Sequence, residues 1–118
     1  MSLIFVYGTL KKGGRLSSAL SGTTYLGEDF LPGYEMFNLG WYPGIREGEG
    51  VGRVEGELYE VDPATLFHLD RIEGHPGLFR RTPVVLESGH DAETYVYQHE
   101  GGVLIPEGRW EVEERKEA

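Results

Sequence analysis

Residues 3–7, Leu-Ile-Phe-Val-Tyr, form an unbroken apolar run that stops at Gly8. A short run of β-prone side chains ended by glycine predicts a buried first strand whose end projects a loop. Residues 16–20 have the pattern of a helical turn, and residues 23–31 and 34–39 predict two strands parted by the turn dipeptide Pro32-Gly33. Residues 40–50, GWYPGIREGEG, read as a loop that carries Trp41 and Tyr42 beside Pro43. Residues 51–61 set Val54, Gly56 and Leu58 between charged neighbours, the period of a half-exposed strand. Residues 79–87 and 94–99 predict two further strands. Beyond residue 105 the chain turns polar, and residues 111–118 read as a frayed tail.

One helix is marked at both ends. Asp62 is a candidate N-cap, Pro63 occupies the first helical position and Gly74 stands just past the end. At about 100° per residue, Leu66, Phe67, Leu69 and Ile72 define a mean apolar direction, and Glu73 falls about 20° from it. Arg71 lies almost opposite and Asp70 about 80° away. A carboxylate therefore points at the buried side. Burial and the negative end of a helix both raise a carboxyl pKa, and a glutamate tuned toward neutrality can take and return a proton. On the wheel alone the alternative stands beside it: the last turn frays, and Glu73 swings to solvent or meets an arginine.

With one helix and five or six strands, the chain predicts a single α+β domain over residues 1–118: a small mixed, mostly antiparallel sheet closed into a β-barrel with one main helix. The length of 118 residues suits one core. Glycine is abundant, at 18 residues, which fits many turns. The formal net charge of −9 disfavours nucleic acid, and basic clusters such as Lys11-Lys12 and Arg80-Arg81 are no more than pairs. No cysteine occurs, which removes disulfides, thiolate metal sites and a cysteine nucleophile. The longest apolar run is too short for a membrane span or signal peptide, so a cytoplasmic location is expected. One Asn, one Gln and no Cys lean toward a protein kept at high temperature.

The loop after the first strand invites comparison with a phosphate loop. Gly8 and Gly13 have the required separation, but Gly14 and Arg15 follow where a lysine and a hydroxyl are needed. No Gly-x-Ser-x-Gly elbow occurs, and Ser17, Ser18, Ser21 and Ser88 lack recognisable partner spacing. His68, His75, His90 and His99 form no metal-binding array. Tyr7 by itself reads as a packing aromatic, and Trp110 as the residue that packs the tail.

Taken together, VYGTL at residues 6–10 and LDRIEGHPGLFRR at residues 69–81 resemble the γ-glutamylcyclotransferase-like, or AIG2-like, superfamily. The resemblance extends to YPGI at 42–45, GELYEV at 56–61, AETYVY at 92–97 and IPEGRW at 105–110, nearly the whole chain. It implies a small barrel with a pocket, in which the loop Tyr7, Gly8, Thr9 and Leu10 holds a γ-glutamyl group. Tyr42 and Arg81 are implied at the substrate, and Glu73 as the catalytic acid/base. No metal or organic cofactor is implied. The implied reaction releases 5-oxoproline and an amine or amino acid, and the partner is that small-molecule substrate, with oligomeric state open. Phe79 departs from the pattern, standing where tyrosine is common. A non-catalytic module that binds a small acidic metabolite or partner on the same fold is the alternative; it needs the loop but not an inward glutamate.

Overall fold

The computed structural model describes residues 1–50 and 52–112. The first strand, β1 (Ser2–Val6), lies in the middle of a five-stranded sheet. The run of apolar residues is explained by burial on both faces: Phe5 and Tyr7 enter one hydrophobic cluster, Ile4 and Val6 another. The sheet order is β2-β5-β1-β7-β6, with β2 Thr24–Pro32, β5 Arg53–Val61, β6 Phe79–Val85 and β7 Asp91–Tyr97. β1 runs antiparallel to β5 and parallel to β7, so the sheet is mixed.

A second sheet has the order β4-β3-β8, from β4 Pro43–Glu47, β3 Tyr34–Asn38 and β8 Val103–Ile105. Met36 and Ile45, opposite each other in its register, are fully buried in the cluster that also holds Phe5, Val54 and Leu58 of the larger sheet. On the other side of β1, the helix α1 (Pro63–Ile72) buries Leu69 among Ile4, Val6, Val61 and Tyr95.

The helix boundaries follow the sequence closely. The Asp62 carboxylate accepts the Thr65 N–H at 2.7 Å, Pro63 begins the helix, and Gly74 follows it with φ +63°. Residues 16–20 form the expected turn, a 3-10 helix at Ser17–Leu20.

Two strand expectations are corrected, and one strand is added. Residues 43–47, read as loop, form β4, because pairing with β3 overrides the loop-like Pro43-Gly44 and buries Pro43, Gly44 and Ile45. β8 is too short to show a period; its pairing with β3 defines it. The ladder with β6, Val85↔Asp91 to Phe79↔Tyr97, moves the seventh strand ahead of residues 94–99. Pairing among the described residues gives two sheets with separate edges and no closed barrel. Proline helps to keep those edges open: Pro83 lies within edge strand β6 and Pro43 starts edge strand β4, and neither has an N–H to extend a ladder. The expected strand start at Val51 and the tail residues 113–118 lie outside the described residues.

Candidate active site

The chain leaves β1 at Tyr7 and turns at once, Lys11 N–H bonding to the Gly8 carbonyl at 3.0 Å. Gly8 has no room for a side chain: a Cβ would stand 2.6 Å from Pro43 Cγ. Only glycine lets the loop lie this close to β4. Among the described residues, the N–H groups of Gly8, Thr9 and Leu10 find no hydrogen-bond acceptor. Gly8 and Leu10 are buried, and buried amides without partners are uncommon. The residues that carry them line a cavity of about 160 Å³, walled by the loop, the end of α1, Tyr42, Phe79 and Tyr95.

Glu73 faces the same cavity. It caps the helix, its N–H bonded to the Leu69 carbonyl at 3.0 Å, so the last turn is intact and the wheel position holds. No ion pair reaches its carboxylate among the described residues. Burial pushes its pKa up from 4.5 to about 7.

The expected residues Tyr7, Gly8, Thr9, Leu10, Tyr42 and Glu73 all line the cavity. Tyr7 donates its hydroxyl to the Tyr95 carbonyl at 2.6 Å, so that proton is already committed within the fold. Burial, reinforced by the charge of Glu73, raises its pKa well above the ordinary tyrosine value, although the Ile45 amide opposes this. Arg81 does not line the cavity. Its guanidinium bonds Asp70 at 2.5 Å and Glu93 at 3.1 Å. Asp70 in turn accepts the Tyr95 hydroxyl at 2.7 Å. Arg81 thus braces the wall through Asp70 and Tyr95. Phe79 is 3% exposed and packs its ring between Tyr42 and Tyr97, centroids 6.0 and 5.3 Å away, so its apolar face serves as wall.

Sequence reasoning did not single out Arg15, Leu16, Leu78 or Tyr95 as cavity residues. The signal available for Tyr95 was a strand tyrosine in a chain with an aspartate on the facing helix; for Arg15 it was the sequence proximity to the loop. Ser88, His90 and Asp29 do meet: Ser88 Oγ lies 2.8 Å from His90 Nδ1 and donates to the Asp29 carboxylate. The aspartate thus takes the serine proton that a base would need, and none of the three lines the cavity. Among the described residues no three His, Asp or Glu side chains converge as a metal site, and no helix is long and apolar enough to cross a membrane.

The profile of the family described as "Gamma-glutamyl cyclotransferase, AIG2-like" matches residues 4–112. The chain belongs to this family. A "Gamma-glutamylcyclotransferase family protein" of Citrobacter rodentium is 38% identical over 109 residues, covering 91% of this chain and 93% of the relative. An uncharacterized protein of Pyrococcus horikoshii has a solved structure that superposes with TM-score 0.80 at 33% identity, covering 92% of this chain and 89% of its own. An AIG2-like protein from Mus musculus superposes with TM-score 0.71 at 29% identity, covering 84% and 77%. Membership of the γ-glutamyl cyclotransferase, AIG2-like family supports a cyclotransferase-type enzyme acting on a small molecule. The two sheets and the α-helix of the described residues have the fold of those structures.

Proposed function

We propose that the protein converts a γ-glutamyl compound into 5-oxoproline and a free amine or amino acid, with Glu73 as acid/base. The observation that carries this reading is the pairing of opposite capacities on one cavity: unpartnered N–H donors at Gly8 to Leu10, and a carboxylate raised to about 7 at Glu73.

The loop donors are suited to carboxylate and carbonyl oxygens, which they bind without a lysine. With the glutamyl group held there, its α-nitrogen attacks its own γ-carbonyl carbon. A new C–N bond closes the five-membered lactam, and the old C–N bond to the leaving amine breaks. Glu73 accepts a proton from the α-ammonium nitrogen and returns one to the departing nitrogen, so no water and no cofactor are consumed. Both reacting groups belong to one molecule, and the protein's part is to hold the attack geometry and move the proton. A loop N–H aimed at the developing oxyanion contributes roughly 3 kcal/mol by analogy with single oxyanion donors. Tyr42 and Phe79 supply apolar wall, and Tyr95 is held in place by Asp70 and Arg81.

The test is a product assay across γ-glutamyl amino acids and amines, with 5-oxoproline read by mass spectrometry and wild type run beside Glu73→Gln. Turnover that falls by roughly a hundredfold or more in a folded variant supports the assignment. Turnover retained by Glu73→Gln sinks it. Ligand binding without any product would instead favour a binding module that uses the same loop.

A further inference from the structure

The cavity has a buried end and an open end. Val6, Tyr7, Gly8, Leu10, Pro43, Phe79 and Tyr95 are buried, whereas Arg15, Leu16 and Leu78 line the same cavity and are exposed. If the glutamyl group sits against the loop amides and Glu73, its leaving group extends toward this rim. The rim joins a cation to exposed apolar surface, Leu16 and Leu78 each being 38% exposed.

Arg15 is the one cationic side chain on the cavity wall among the described residues. The neighbouring cations are used elsewhere. Lys11 donates to the Trp110 carbonyl at 2.7 Å, Lys12 lies 3.5 Å from the centre of the Tyr25 ring, and Arg81 is held by Asp70 and Glu93. Arg15 has no carboxylate partner among the described residues, although the chain carries a formal charge of −9.

Its position is fixed rather than loose. The next residue, Leu16, donates its N–H to the Thr9 carbonyl at 2.9 Å, which ties the rim to the substrate loop. Gly14 permits this fold-back, since a Cβ there would stand 2.3 Å from the Thr9 carbonyl oxygen. At the other end, Arg15 Nη2 donates to the Trp41 carbonyl at 2.9 Å, leaving the rest of the guanidinium fork for another acceptor. A planar fork anchored on one edge suits a carboxylate.

We infer that Arg15 is a specificity residue that binds a carboxylate on the leaving group, so that the substrates are γ-glutamyl α-amino acids with an apolar side chain rather than γ-glutamyl derivatives of neutral amines. This rests on the cyclotransferase reading, which it narrows. The amino acid's carboxylate meets Arg15 while its side chain covers Leu16 and Leu78.

The test compares γ-glutamyl-leucine with γ-glutamyl-isopentylamine, the same compound without the leaving-group carboxylate, in wild type, Arg15→Gln and Arg15→Lys. Dissociation constants for the same pair are measured on Glu73→Gln and on Glu73→Gln/Arg15→Gln, where turnover is not needed. Wild type should favour γ-glutamyl-leucine by roughly tenfold or more in kcat/KM, mainly through KM. Arg15→Gln should bring the two substrates to within about threefold, and Arg15→Lys should restore part of the preference. Equal use of both compounds by wild type overturns the inference, as does a preference that survives Arg15→Gln. A variant that loses both substrates equally also overturns it, because Arg15 then holds the glutamyl carboxylate. If wild type turns over neither compound but does turn over others of the γ-glutamyl panel, the inference is overturned. If no member of the panel gives product, the cyclotransferase reading fails and the binding pair decides Arg15: a preference for γ-glutamyl-leucine that disappears with Arg15 supports its role, and any other binding result overturns it.

Discussion

The Glu73 N–H bonds to the Leu69 carbonyl at 3.0 Å, so the residue that caps the helix keeps the direction of its buried face. Its carboxylate is thereby held at the cavity, and burial raises its pKa from 4.5 to about 7. The consequence for stability has a definite sign. Below pH 4.5 both folded and unfolded chains carry the proton; between 4.5 and about 7 the unfolded chain releases it first, so stability falls as pH rises; above that the cost stays constant. Glu73→Gln should therefore change little near pH 4 and stabilise by up to about 3 kcal/mol near pH 8, read from urea midpoints. No gain at pH 8 would contradict a half-buried carboxylate of raised pKa.

The proposed role of the same carboxylate predicts a pH dependence of turnover. As the proposed base, Glu73 must be ionised, so kcat/KM for the proposed 5-oxoproline formation should rise with pH through a limb near 7. A rate profile with its limb near 4.5 would instead describe a solvent-exposed glutamate.

Tyr95, Asp70 and Arg81 should behave as one unit, because Asp70 takes bonds from both of the others. Tyr95→Phe should cost about 1 kcal/mol, and Arg81→Met about 2 kcal/mol because it leaves the half-buried Asp70 charge without its cation. The double variant should differ from the sum of the singles by at least about 0.5 kcal/mol. Additive losses in urea denaturation would mean that Arg81 does not support Tyr95.

Gly8→Ala tests the contact between the loop and β4. The new methyl group meets Pro43 Cγ at 2.6 Å and Cδ at 2.9 Å, so the expected loss is about 1–3 kcal/mol, with 5-oxoproline formation falling further than stability accounts for. Adding Pro43→Ala should recover part of the stability. An unchanged melting temperature for Gly8→Ala alone would show that the loop yields without cost.

The sequence by itself determined the parts of this protein whose cause is local. The two-faced strand β1 could be read from its unbroken apolar run and the helix from Asp62, Pro63 and Gly74; helical period aimed Glu73 at the apolar stripe but left a frayed last turn as the alternative, which the Glu73 N–H bond to the Leu69 carbonyl decided. The YGTL loop and the glutamate segment together pointed to the family. Tertiary structure decided what depends on residues far apart in the chain. Pairing with β3 made strands of residues 43–47 and 103–105, against or without local propensity, and the ladders of the described residues form two sheets in which no closed barrel is detected. It turned Arg81 toward Asp70 and Glu93 instead of the cavity, because charges pair with whatever the register sets beside them. It also brought Tyr95 to the back wall and Arg15 to the rim of the same cavity, 80 positions apart in sequence, which no local period encodes.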